Sequence, residues 1–117
     1  MTAGEVEVTA GLENTDTANL VWDALSIEAA ASTWVDEIYF SIDVFAGEDD
    51  ARETVGMGDV GFWPPGQALG LFFGPTPASR GDEIRPASPV NVNGRLEGDP
   101  RVLKAVQSGS PVTVRKS

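Results

Sequence analysis

Alternation of apolar and polar residues with a period of two is the feature that most limits what this chain can fold into. The clearest example is Glu37–Phe45, in which one face carries Ile38, Phe40, Ile42 and Val44 and the other carries Tyr39, Ser41 and Asp43. Such alternation is typical of a β-strand with one buried face. Further strands are predicted at Glu5–Ala10, Ile27–Val35, Leu69–Phe73, Val90–Leu96 and Val112–Arg115.

Two short helical segments interrupt this pattern. Asn14–Thr17 offers side chains that can cap a helix, and apolar residues between Leu20 and Leu25 recur at helical spacing, so a helix is predicted to start near Asp16. Near the other end, Asp99–Val106 begins with a capping residue followed by Pro, which predicts one or two helical turns.

Many short strands punctuated by Gly and Pro predict an all-β fold in a single domain over residues 1–117. A small closed or nearly closed β-barrel is expected, with the early helix over one open end; a sandwich of the same strands is the alternative. The predicted interior positions are Val6, Val8, Ile38, Phe40, Ile42, Leu69, Leu71, Val92 and Val112.

Composition excludes several kinds of chemistry. The chain has no Cys and no His, so it lacks a thiolate nucleophile, the usual general base and the commonest metal ligand. The acidic run Gly47–Asp50 lacks the spaced oxygens of a calcium loop and is predicted to be a solvated turn. No catalytic residue, metal site or cofactor is therefore predicted.

The chain is strongly acidic. Asp and Glu number 18 against 8 Lys and Arg, which gives a net charge of −10 and argues against nucleic acid or an anionic membrane as a partner. The scattered carboxylates suit a surface hydrated in high salt, so a halophilic protein is a hypothesis. There is no apolar run of membrane-spanning length, and Met1–Glu5 lacks signal-peptide character, so a cytoplasmic protein is expected.

The segment Gly58–Pro77 holds four aromatic residues, four Pro and five Gly. Within it, Trp63–Gly66 predicts a stiff turn, because Pro fixes φ and Gly66 can adopt positive φ. A rigid turn that carries a Trp beside a Phe-rich strand frames a fixed apolar surface. This arrangement favours a binding site over a catalytic one.

The order of motifs resembles that of the cyclophilins. Asn91–Asp99, NVNGRLEGD, followed by Val102–Val106, is similar to the late cyclophilin strand and its short Gly-led helix. Asn14–Asn19 is similar to the start of the cyclophilin helix. Gly58–Trp63 and Leu71–Gly74 stand where cyclophilins have their central Gly-led strand and their Gln-Phe-Phe strand.

Three sequence motifs resemble more closely those of a family of small prokaryotic cyclophilin-like proteins of undetermined function. They are GDVGFWPPG, LFFGPTP and SPVNVNGR. The resemblance covers nearly the whole chain. It implies a closed cyclophilin-like barrel with one short helix and a C-terminal helical turn.

Departures from the cyclophilin pattern bear on activity. The isomerase arginine is expected on the strand that aligns with Glu37–Val44, where no arginine stands. The Gln before the Phe pair is replaced by Leu71, and the groove His has no counterpart. Since a donor is needed to stabilise the twisting amide, we expect prolyl isomerase activity to be absent or very weak.

The first hypothesis is a binding module for a small apolar ligand or a peptide, whose site is formed by Phe62, Trp63, Gln67 and Phe73. Phe73 matches the apolar floor of the cyclophilin proline pocket. Trp63 either lines this site or plugs one end of the barrel. Strand alternation sends only one of Phe72 and Phe73 inward.

Two alternatives stay open. One is a weak or atypical prolyl isomerase that recruits Arg85 or Arg95 in place of the missing arginine. The other is a structural or protein-interaction domain that uses its aromatic strip as an interface. Asn91 and Asn93 share one strand face and are expected to meet solvent, or else to offer amide donors to a ligand.

Overall fold

A computed structural model describes residues 1–116. The α-helix, α1, spans Asp16–Ala24, and two short 3₁₀ helices span Pro64–Gly66 and Pro100–Ala105. The strands, in chain order, are β1 Thr2–Ala3, β2 Val6–Glu7, β3 Ala10–Leu12, β4 Ile27–Ala30, β5 Ser32–Thr33, β6 Glu37–Ser41, β7 Asp59–Trp63, β8 Ala68–Phe72, β9 Asn91–Leu96 and β10 Pro111–Val114.

The strands form two antiparallel sheets. A four-stranded sheet has the order β2-β1-β10-β4, and a six-stranded sheet has the order β3-β9-β7-β8-β6-β5. The mostly-β prediction with one short helix is confirmed, but the prediction of a closed barrel is not. Closure requires the edge strands to pair, and within residues 1–116 the edges of the small sheet, β2 and β4, do not pair with those of the large sheet, β3 and β5.

The main core lies between the two sheets. It contains Ala3 and Val112 from the small sheet and Ile38, Phe40 and Leu71 from the large one. Seven of the nine predicted interior positions belong to this core, and Val6 is half-buried against it. Val92 is buried elsewhere, in a second hydrophobic cluster, so its placement in the interior was wrong.

A second hydrophobic cluster covers the opposite face of the six-stranded sheet. Phe72, Val90 and Val92 are buried there together with Ile84, and Trp63 packs against them. Because successive residues of a strand face opposite sides, Leu71 enters the main core and Phe72 enters the second cluster. The large sheet is therefore covered by apolar side chains on both faces.

Both helical predictions are confirmed. The Thr15 side chain accepts a hydrogen bond from the Ala18 backbone N–H at 3.1 Å, which caps α1. In the second segment, Asp99 accepts from the Arg101 backbone N–H at 3.0 Å, and the helix that follows is of the 3₁₀ type. No helix among residues 1–116 is long and apolar enough to cross a membrane.

The turn after β7 differs from its prediction in one detail. The left-handed residue is Gln67, with φ of +49°, and not Gly66. Glycine is required at position 66 for another reason: a Cβ there would lie 2.5 Å from the ring of Trp63. The turn therefore holds the indole by close contact.

Candidate functional site

A cavity of about 160 Å³ opens on the face of the six-stranded sheet that carries the second cluster. Its walls come from strands β6, β7 and β8 and from residues 84–90, which we call the cover segment. We call the cavity the Trp63 pocket. Its lining is mostly apolar, which is typical of small-molecule sites.

The floor of the Trp63 pocket is made by small residues of β8. Ala68 and Gly70 line it, and Gly70 pairs in register with Tyr39 on β6. A Cβ at Gly70 would lie 2.8 Å from Oε2 of Glu37 and 3.2 Å from the Phe72 ring. The missing side chain therefore makes room both for the Glu37 carboxylate and for a guest.

Among residues 1–116, Glu37 is the one charged residue that lines the pocket. Only 8% of it is exposed, and burial raises the pKa of its carboxyl from 4.5 to about 7. Within residues 1–116, no side chain donates a hydrogen bond to this carboxylate or forms a salt bridge with it. Near neutral pH it is an ionisable group without a partner.

Trp34 is placed beside Glu37 by a two-residue turn. The Trp34 N–H donates to the Glu37 carbonyl at 2.8 Å, and the Glu37 N–H donates to the Trp34 carbonyl at 3.2 Å. Residues that pair directly in an antiparallel hairpin project their side chains to the same face. Val35, the first residue of the turn, has φ of +56°, which is costly for a β-branched residue.

Trp63 forms the opposite aromatic wall. Its indole N–H donates to the hydroxyl of Ser88 in the cover segment at 2.6 Å, and its ring packs on Gly66. Tyr39 lines the same pocket from β6 and keeps 37% of its surface exposed. Three aromatic rings and one carboxylate thus converge on one cavity.

The cover segment is attached to the rest of the molecule by backbone bonds. Arg52 and Val90 form an isolated β-bridge, and Val55 and Ile84 form another. The Thr76 hydroxyl donates to the Arg85 carbonyl, and the Ser79 hydroxyl accepts from the Arg85 N–H at 3.1 Å. These bonds hold the cover segment in place over the sheet.

The structure brings together only part of the predicted site. Trp63 lines the pocket, but Phe62 is fully buried and Phe73 is 97% buried within the main core, on the other face of the sheet. Gln67 lies in the turn, where its carbonyl accepts from the Ile42 N–H at 2.9 Å. The four residues therefore do not form one site.

Trp34, Glu37 and Tyr39 were missed as site residues. The alternation of β6 does place Glu37 and Tyr39 on the face opposite Phe40. That pattern alone predicts that both side chains are exposed to solvent, because nothing in it indicates that residues 84–90 cover this face of the sheet. The sequence pattern does not place Trp34 beside Glu37, because that placement depends on the turn at Val35 and Asp36.

The asparagines of β9 do not meet solvent as expected. Asn91 is 1% exposed; its amide donates to Gly47 O at 2.9 Å and to Thr17 Oγ1 at 3.2 Å, and it accepts from Asp49 N–H at 2.8 Å. Asn93 is fully buried, and its amide has no partner among residues 1–116. Helix α1 contacts β9 and removes this face from water.

The arginines considered for catalysis are engaged elsewhere. Arg85 contacts Glu83 at 2.5 Å and Glu53 at 3.9 Å, and Arg95 contacts Asp59 at 3.3 Å. Neither lines the Trp63 pocket. Within residues 1–116, no three carboxylates gather closely enough to hold a metal ion.

Comparison with known proteins gives a family and a structural relative. A family model described as cyclophilin-like matches residues 1–115. The solution structure of a hypothetical protein from Archaeoglobus fulgidus is 39% identical in sequence, with a TM-score of 0.77. The match covers 92% of this chain and 85% of that one. No curated protein matches.

Proposed function

This chain belongs to the cyclophilin-like family, and on that premise we propose that it is a binding module that holds a small apolar ligand, or an apolar group of a peptide, in the Trp63 pocket. The observation that carries this proposal is the preformed cavity between the sheet and the cover segment. Its walls are fixed by the Trp63–Ser88 hydrogen bond and by the paired backbone of Trp34 and Glu37. A site that needs no ordering on binding loses little affinity to conformational entropy.

Binding in the Trp63 pocket is expected to shield two of the three tryptophans. The probe is 3,3-dimethylbutan-1-ol, a compact neutral alcohol. In the unaltered protein, saturating probe is expected to shift the indole N–H resonances of Trp34 and Trp63. Trp22 lies on α1, is 43% exposed and does not line the pocket, so its resonance is the internal control. Unchanged resonances of both pocket tryptophans would contradict the proposal.

The same proposal excludes prolyl isomerisation as the main activity. Stabilising a twisted amide requires a donor aimed at the developing charge, and no Lys or Arg within residues 1–116 lines this pocket. Phe73, which the family resemblance assigns to the floor of the proline pocket, lies in the main core.

In a protease-coupled assay with a Xaa-Pro peptide, we expect no acceleration above the uncatalysed rate. An active cyclophilin assayed in parallel is the positive control. Turnover comparable to that control would overturn the expectation. If it were found, Arg85→Ala and Arg95→Ala would decide whether either arginine supplies the missing donor.

A further inference from the structure

The carboxylate of Glu37 is an unusual component of an apolar pocket. Burying a charge without a partner costs free energy, and proteins normally pair such a group or move it to the surface. The Glu37 side chain packs over Gly70 and is only 8% exposed. It has no ion pair within residues 1–116. The partner that this group lacks in the free protein can be supplied by a ligand.

We infer that the Trp63 pocket binds an alkylammonium cation, with the Glu37 carboxylate as counter-charge and the rings of Trp34, Tyr39 and Trp63 as walls. This inference rests on the proposed function, since it names the ligand class of the same pocket. Aromatic faces attract cations through the negative face of the ring, most strongly when the cation is removed from water. A carboxylate among such rings adds a direct charge interaction.

The placement of the rings suits a cation better than a neutral guest. Trp34 is the direct hairpin partner of Glu37, and Tyr39 lies two residues further on the same face of β6. Trp63 is held across the cavity by Ser88. A guest that reaches Glu37 therefore passes between aromatic surfaces, and an ammonium group carrying methyl or methylene groups satisfies both kinds of contact.

Within residues 1–116, no Lys or Arg forms a salt bridge with Glu37. Arg85, the nearest in sequence to the pocket residue Pro86, is held by Glu83 and Glu53. Arg95 is held by Asp59. With a net charge of −10, the whole molecule also attracts cations and repels anions, which favours entry of a positively charged ligand.

The test compares two probes that differ in charge but hardly in shape. Choline and its neutral isostere 3,3-dimethylbutan-1-ol are titrated into the unaltered protein, and the indole N–H resonances of Trp34 and Trp63 are followed, with Trp22 as the internal control. We expect choline to bind about ten-fold more tightly than the alcohol. Equal affinities would overturn the inference while leaving the proposed function intact. No shift with either probe would overturn both.

A matched pair of variants tests the counter-charge. Glu37→Gln keeps the shape of the side chain and removes its charge; Glu28→Gln removes a charge from an exposed position on β4, in the other sheet. We expect E37Q to abolish the preference for choline over the alcohol, and E28Q to leave that preference as it is in the unaltered protein. A preference that survives E37Q would contradict the inference, and the comparison on the unaltered protein does not depend on the variant's folding.

The source of the cation is settled by a second probe pair. An alkylammonium group occurs in small free amines and in the side chain of lysine. A capped pentapeptide with Lys at its central position is compared with the same peptide carrying norleucine there, the neutral counterpart of Lys. Tighter binding of the Lys peptide than of choline would assign the pocket to a protein side chain, and the reverse order would assign it to a small amine. Both orders support a cation site.

Discussion

Replacing Phe40 with Ala is expected to lower the free energy of unfolding by about 3–5 kcal/mol. Phe40 is the fourth of the five residues of β6, is 1% exposed and pairs in register with Leu69. Truncation leaves a cavity between two sheets that cannot both move inward without breaking strand pairing. Urea unfolding followed by circular dichroism measures the loss.

Phe45→Ala is the matched control, because the same side chain is removed from a position that is 70% exposed. We expect that variant to stay within about 0.5 kcal/mol of the unaltered protein. A loss well below 1 kcal/mol for Phe40→Ala, against the range expected for a buried Phe, would show that the register of β6 is wrong. If Phe40→Ala does not fold, Phe40→Leu, expected to cost less because it leaves a smaller cavity, allows the same comparison.

The Glu37 carboxyl is expected to make stability fall as the pH rises. Its pKa is raised from 4.5 to about 7 in the folded protein, so between these values the folded state holds a proton that the unfolded state has released. Unfolding is therefore hardest below the unfolded pKa. The contribution is lost as pH rises through the folded pKa and amounts to about 3 kcal/mol over this interval.

Comparing the unaltered protein with Glu37→Gln isolates this effect from the other carboxylates. Near pH 4 the two proteins are expected to have similar stability. Near pH 8 the Gln variant is expected to be more stable, because it removes a buried charge while keeping the shape of the side chain. Glu28→Gln should show no such difference. Parallel pH profiles for the unaltered protein and the Glu37→Gln variant would contradict the burial of Glu37.

A buried carboxyl that lowers the stability of the folded protein at neutral pH is not explained by a structural role. Strongly perturbed ionisable groups in cavities are candidates for function, because the protein gives up stability to keep them there. Glu37 meets that description through its geometry as well as its pKa. The expected stabilisation by Glu37→Gln and the expected loss of cation preference thus have the same cause, which is the removal of a buried carboxylate without a partner.

Local patterns in the sequence predict the elements of this fold well. Helix α1 begins where Thr15 offers its cap, the second helical segment begins after Asp99, and β6 follows its alternation. Each of these depends on residues close in the chain. The resemblance to cyclophilins also placed a strand at Gly58–Trp63, which alternation alone does not reveal because Gly61 interrupts it; β7 is found there.

What the sequence could not predict depends on contacts between distant segments. Barrel closure was expected from the strand count, but it depends on which edges meet. Phe72 and Phe73 do face opposite sides as alternation requires, yet both are buried, because the cover segment provides a second apolar layer. The same layer converts Glu37 from a surface residue into a pocket residue, and it is built from residues some fifty positions later.

The two apolar layers on the large sheet also differ in how firmly backbone pairing holds them. The cover segment is joined to the segment that carries Arg52 and Val55 by single bridges, whereas the main core is secured by the continuous pairing of β6, β7, β8 and β9. Proteins open in cooperative units whose free energies differ, and units with few backbone bonds open first. We therefore expect the cover segment to open locally at a lower free energy than the main core. A guest of the proposed pocket would then need only this local opening to enter or leave, and not global unfolding.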